Sequence, residues 1–310
     1  MRVGRAGVIA IGSNSVRMLT ADLDPSLSNP VRGREETALF LAMDDNKRFS
    51  EEGMERTAAA VSALYHQAQA AGAQQIRMIA TSAMRDASNR NELDYYIAAL
   101  CPIVLNRIIS GQEEAQLSFL GAACVPPRPG LQGMIDVGGG STELAIGTCG
   151  QGLLSSVSLQ LGASRLHKLQ PVTDPASLTL ARASAFELVS CGLRPRPEPP
   201  DAYTLVGGTG TSFAALLTAT PWPQPAPEGT PFTRADVTHW LERLASMPPQ
   251  QRAQLTGMPP TRLHILPTGL VILESLMSWL EIDQLAITHR GNLDGYLYRL
   301  YSQPELDPDA

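Results

Sequence analysis

The chain has 310 residues, enough for two domains of ordinary size, and its 44% hydrophobic and 17% charged content is that of a protein with packed cores. Its 24 basic and 30 acidic residues leave a net charge of −6, which argues against non-specific binding to nucleic acid or to an anionic membrane. Cys101, Cys124, Cys149 and Cys191 show no CxxC and no histidine at metal spacing, so they read as buried free thiols of a reducing compartment. With no signal-peptide pattern and no apolar run of about 18 residues, the expected location is the cytoplasm.

In chain order, Val8–Ser15 (VIAIGSNS) reads as a strand entering a Gly-Ser-Asn-Ser loop, and Val16–Ala21 as the strand leaving it. Val31–Ala42 supplies a third strand and Asp44–Lys47 a polar turn. Ser50 caps a helix that runs to about Ala71 and stops at Gly72. Ile76–Ala80 is a strand, and the TSAMR after it places hydroxyls and Arg85 at a strand end. That arrangement suits a phosphate wall or an ordinary salt bridge. Asn89–Leu100 reads as a helix, Ile103–Ile109 as a strand, and Ser110 caps a helix beginning GQEEA. Acids in a first turn are usually partners of the helix dipole. Pro126–Gly130 (PPRPG) is the hinge candidate.

Gly133–Gly147 (GMIDVGGGSTELAIG) follows as strand, three glycines, Ser141–Thr142, and strand. Three glycines exceed the need of a tight turn. They let backbone N–H groups close on an anion, with the hydroxyls of Ser141 and Thr142 as further donors. Asp136 and Glu143 flank the loop and suit a divalent cation. The first loop is a second copy of this one: Ala10 falls on Asp136 and Gly12 on Gly138, which suggests an internal duplication. Gly152–Leu161 reads as a strand ending in GASR, Pro175–Cys191 as a helix and Arg194–Pro200 as a loop. Tyr203–Val206 runs into GGTGT and a helix at Ser212–Leu217, which fits either an anion site at Gly208 and Thr209 or close helix–strand packing. Pro221–Pro231 is a structureless insertion, Thr233–Ala245 a capped helix and Pro248–Leu255 a short helix. Leu263–Leu280 is a buried helix, Leu285–Ile287 a strand, Asn292–Tyr301 a terminal helix, and Gln303–Ala310 a frayed tail. Alternating strands and helices in both halves predict α/β domains at residues 1–124 and 125–310, with the helix at 292–302 expected to pack back on the first. Ligand loops from both halves are expected to face one cleft.

VIAIGSNSVRML, IATSAMRDASNRNEL, IISGQEEAQLSFLGA, GMIDVGGGSTELAIG, SLQLGASRL and LVGGTGTSFAAL together resemble the Ppx/GppA family of exopolyphosphatases and guanosine pentaphosphate phosphohydrolases. The resemblance implies a duplicated actin-like ATPase (ribonuclease H-like) fold with an interdomain cleft, in a short form without the family's additional helical domain. It gives Glu114 the role of general base activating water. Ser13, Asn14, Ser15, Gly138, Gly139, Gly140, Ser141 and Thr142 would cradle the phosphates, with Gly208 and Thr209 as a further contact and Arg85 neutralising charge. Asp136 and Glu143 would hold Mg²⁺. The implied partner is polyphosphate or guanosine penta- or tetraphosphate, with no nucleic acid and no membrane; a homodimer stays open.

Two departures stand out. The family carries an Asp where this chain has Ala10, which weakens the expected contribution of the first lobe to Mg²⁺, and Leu41–Lys47 lacks the family's glycines. Three readings follow: a hydrolase of terminal phosphate, a binding or sensing protein without turnover, which Ala10 favours, and a sugar kinase. SGQEEA speaks against the kinase, which needs its base on a sugar-facing loop.

Overall fold

The alternation of apolar residues in the first strand, β1 (Arg5–Ile11), determines how the first half is layered. Ile9 and Ile11 point into one apolar cluster, and Ala6, Val8 and Ala10 into another on the opposite face. A strand buried on both faces needs a helical layer on each. The computed structural model, which describes residues 4–303, supplies both. β1 pairs antiparallel with β2 (Ser15–Asp22), and β2 with β3 (Val31–Glu36). The chain continues through α1 (Glu51–Ala70), β4 (Gln75–Ala80), α2 (Ser82–Asp86), α3 (Arg90–Ala98), β5 (Arg107–Ile108) and α4 (Gly111–Cys124). The sheet order is β3-β2-β1-β4-β5, with β4 parallel to both neighbours. Met54, Val61 and Leu64 of α1 and Leu93 and Ile97 of α3 close one face.

The second unit repeats the plan. β6 (Gln132–Val137), β7 (Thr142–Thr148) and β8 (Gly152–Leu159) form an antiparallel meander, and β8 carries a bulge opposite Ile146 and Gly147. There follow α5 (Ala163–Leu169), α6 (Pro175–Gly192), β9 (Ala202–Val206), α7 (Gly207–Leu217), β10 (Pro231–Thr233), α8 (Arg234–Ala245), α9 (Pro249–Arg252), α10 (Ile265–Trp279) and β11 (Gln284–Ile287). The order β10-β11-β9-β6-β7-β8 contains the first unit's arrangement, with β10 added at one edge. Contacts divide the chain accordingly: one unit runs to Arg128 and resumes at Arg290, the other spans Pro129–His289. α11 (Asn292–Ser302) therefore belongs to the first unit, where Leu293, Tyr296 and Leu297 join Leu117 of α4 over the second face of the sheet. Among the described residues no helix is long and apolar enough to cross a membrane.

Several elements differ from expectation, each for a local reason. The third strand stops at Glu36 instead of Ala42 because the Asn14 carbonyl captures the N–H groups of Thr37 and Ala38 and turns the chain. Ala38 and Lys47 adopt left-handed backbone (φ 49° and 59°), the conformation glycine would take without strain in this region. Of Ile103–Ile109, only Arg107 and Ile108 form a strand, because Asn106 pairs with Met78 through its side-chain oxygen. The helix placed at Ser212 begins five residues earlier, at Gly207. α2 and α5 are short helices where strand ends were expected, and β10 forms at the end of the proline-rich insertion. The tail expected to fray lies, from residue 304 on, outside the described residues.

Candidate functional site

The glycine loop is a hairpin closed by the Val137–Thr142 pair, with Gly138 N–H donating to Ser141 O at 3.0 Å. What shapes it lies behind it. Gly138 O accepts from Ala163 N (2.8 Å), Gly139 O from Ser164 N (2.8 Å) and Arg165 N (3.1 Å), and Gly140 O from Arg165 Nε (2.7 Å). All three glycine carbonyls thus face the start of α5. In a trans peptide the N–H points opposite its carbonyl, so the N–H groups of Gly139, Gly140 and Ser141 turn away from α5. Gly162 lets the two segments meet, since a Cβ there would overlap the Gly139 and Gly140 backbone. The result is a row of oriented donors of the kind that binds oxyanions. Ser141 is buried within the loop. The Thr142 hydroxyl donates to Leu161 O at 2.5 Å, so it braces the loop's base.

The first loop uses the same hairpin. Gly12 N donates to Ser15 O at 3.0 Å, matching Gly138 and Ser141. Here Ser13 O accepts from Phe40 N and Asn14 O from Thr37 N and Ala38 N, so the turn after β3 does what α5 does in the second unit. Asn14 Nδ2 donates to Glu36 at 2.6 Å, and its Oδ1 is buried with no hydrogen-bond partner among the described residues. Ser13 and Ser15 are buried beside it.

Register makes the duplication residue-specific. Ala10 lies opposite Arg17 in β1–β2, and Asp136 opposite Glu143 in β6–β7. Asp136 and Glu143 therefore project from one face of their hairpin, and both are buried. Glu143 accepts from Ser158 Oγ at 2.8 Å. Asp136 rests on Gly207, whose left-handed backbone (φ 84°) disfavours any other residue and where an added Cβ would collide with the carboxylate. Two buried carboxylates side by side, both oxygen donors, fit Mg²⁺, which is commonly held by one or two carboxylates with water and substrate phosphates completing its shell. Among the described residues no group of three or more histidine, cysteine or acidic side chains is gathered elsewhere for a metal.

Glu114 and Arg85 come together in the first unit. Ser110 caps α4 by accepting from Glu113 N (3.1 Å), and Glu114 sits in the first turn with its side chain 9% exposed. Arg85, at the end of α2, donates from Nη1 to Glu114 Oε2 and to Ile109 O, both at 2.9 Å. This is a charge-assisted contact shielded from water, and it fixes where the carboxylate points. In the second unit Thr209 turns inward: it is fully buried against Gly269 of α10, and its hydroxyl has no hydrogen-bond partner among the described residues. Gly208 lies against the guanidinium of Arg262, a buried residue that the sequence reading did not single out. Nothing local marks Arg262. Arg165 was visible only as part of the SLQLGASRL stretch, and its hold on Gly140 was not.

A model of the Ppx/GppA phosphatase family matches residues 27–303. The chain belongs to this family. It is 32% identical to exopolyphosphatase 2 of Mycobacterium tuberculosis, over 95% of this chain and 98% of that protein. Among solved structures, an exopolyphosphatase-like protein matches with a TM-score of 0.86 at 25% identity, over 96% of this chain and 98% of that one. The Ppx/GppA family member of Aquifex aeolicus matches with 0.77 at 23% identity, over 96% and 97%. The duplicated α/β plan is accordingly the actin-like fold of the Ppx/GppA proteins.

Proposed function

We propose that this Ppx/GppA protein is a phosphoanhydride hydrolase that removes the terminal phosphate of inorganic polyphosphate, with the 5′-phosphate of pppGpp as the other candidate substrate. The observation that carries the reading is Glu114: a water-shielded carboxylate at a helix start, held at 2.9 Å by Arg85, in the motif position of the family's base. Glu114 accepts a proton from the attacking water as its oxygen bonds to the terminal phosphorus. The bridging P–O bond breaks, and the shortened chain leaves with the electron pair. In the second unit the N–H groups of Gly139, Gly140 and Ser141 hold phosphate oxygens, and in the first the loop of Ser13, Asn14 and Ser15 is the corresponding phosphate loop. Their orientation is set before substrate arrives, so little reorganisation is needed. Arg85 orients Glu114 and adds positive charge near the developing phosphate. Asp136 and Glu143 would hold Mg²⁺, which when bound offsets phosphate charge.

The Ala10–Arg17 pair supports a second reading, a polyphosphate- or guanosine-polyphosphate-binding protein with weak turnover. Where the second hairpin pairs two acids, the first pairs an alanine with an arginine. Phosphate release from polyphosphate and from pppGpp in Mg²⁺ separates the two. The hydrolase reading expects release that falls by about a hundredfold or more in Glu114→Gln, the usual worth of a positioned base. Binding without release in the unaltered protein establishes the second reading instead.

A further inference from the structure

The two acids of SGQEEA are neighbours in sequence but are held by different partners. Glu114 faces Arg85. Glu113 is gripped at both oxygens: Arg107 Nη2 donates to Oε2 at 2.7 Å and Arg299 Nη1 to Oε1 at 3.0 Å. The side chains of Glu113 and Arg299 are 15% and 14% exposed, so their contact is drier than a surface ion pair, while Arg107, at 32%, closes the triad from its more open side. Its members come from three elements, with Arg107 on the edge strand β5 and Arg299 on α11. An acid that serves only the dipole of α4 needs a negative charge near the helix start and no fixed partner. Two arginines from separate elements exceed that need.

α11 is itself held firmly. A Cβ on Gly295 would overlap the Leu117 carbonyl of α4, and one on Gly121 would overlap the backbone of Gly291, so the two helices meet at backbone distance. Asp294, almost fully buried, takes both terminal nitrogens of Arg32 at 2.5 and 3.1 Å, and Asn292 accepts from Arg17 at 3.2 Å. Arg299 is therefore presented from a fixed support. Successive side chains leave a helix about 100° apart. A restraint on Glu113 consequently fixes the rotation of the first turn of α4, and with it the direction of Glu114.

We propose that Glu113 is a positioning residue: clamped between Arg107 and Arg299, it aims the Glu114 carboxylate and makes α11 part of the base's support. The inference rests on the reading of Glu114 as the base. The kinetic test compares Glu113→Gln, Arg299→Met and the charge-preserving Arg299→Lys. Turnover of polyphosphate should fall about tenfold or more in the first two with KM little changed, because a misaimed base costs rate and not substrate affinity. Arg299→Lys should recover part of the loss. Added to Glu114→Gln, Glu113→Gln should lower the residual rate no further, since nothing is left to aim. An equal loss in that background shows that Glu113 acts through something other than Glu114 and overturns the proposal. A crystal structure of the Glu113→Gln and Arg299→Met proteins gives a readout independent of turnover. The Arg85–Glu114 hydrogen bond should be broken, and its retention at 2.9 Å in both variants overturns the clamp. If the unaltered protein releases no phosphate, the hydrolase reading fails while the crystallographic result still decides the geometry.

Discussion

At Arg85 and Glu114, two opposite charges occupy a position where the side chains are 18% and 9% exposed. Removing one partner from such a pair leaves an uncompensated charge in a poorly solvated place, at a cost of about 3 kcal/mol or more. Arg85→Met should lower unfolding stability by that order, and adding Glu114→Gln should restore much of it. Urea unfolding of the four proteins of the cycle checks this, and additive losses would show the contact to be energetically idle. Ala10 shows how far single residues can be read. That it stands where the repeat has Asp136 is legible from the chain alone, since both loops share the pattern of one glycine two places on. That it is fully buried among Val8, Leu19, Ile79 and Leu117, with Arg17 opposite, depends on strand register and on distant helices. An aspartate at position 10 would therefore meet apolar surroundings and a cross-strand cation, a setting that the repeat did not disclose.

The hairpins and their glycine loops were readable because their signals are local: apolar strands, glycines and hydroxyls within about fifteen residues. The element that orients the second loop was not. α5 is seven residues long, follows a glycine and has no side-chain cap, so nothing in its sequence separates it from a strand end. Its part in the loop predicts the effect of Arg165→Ala. Loss of the Nε bond to Gly140 O should free the last peptide of the cradle and weaken polyphosphate binding by about 1.5–3 kcal/mol, the range of one charge-assisted hydrogen bond. A binding isotherm that does not shift would place the loop's order elsewhere. α5 also carries His167, whose pKa is pushed below the usual 6.5 by burial first, then by His264 and Arg252. The unfolded chain therefore takes up this proton at higher pH than the folded one. The contribution is intact above 6.5 and is lost as pH falls through the folded-state value. Unfolding free energies at about pH 7.5 and about pH 5.5 should show a larger acid loss for the unaltered protein than for His167→Gln. Equal losses would mean that His167 does not couple to stability.

The chain is divided unevenly between its units: the second is one continuous segment, while the first needs both ends of the chain. The second face of the first sheet is closed by α4 together with α11, which contributes Leu293, Tyr296 and Leu297 at 5%, 1% and 0% exposure. Burying three side chains of this size is worth roughly 5–8 kcal/mol, comparable to the whole stability of an ordinary domain. Removing α11 also strips partners from Arg17, Arg32 and Glu113. Residues 1–128 alone should therefore show no cooperative unfolding transition. Joining residues 290–303 to Arg128 through a short glycine–serine linker should restore one. The join is geometrically modest, since Arg128 N–H bonds to Ala123 O near the end of α4, and Gly121 of that helix lies against Gly291. Circular dichroism across a urea gradient distinguishes the two chains. A sharp transition for residues 1–128 by themselves would mean that the sheet holds without its last helix, and that α11 serves the base-bearing turn of α4 without being needed for the fold.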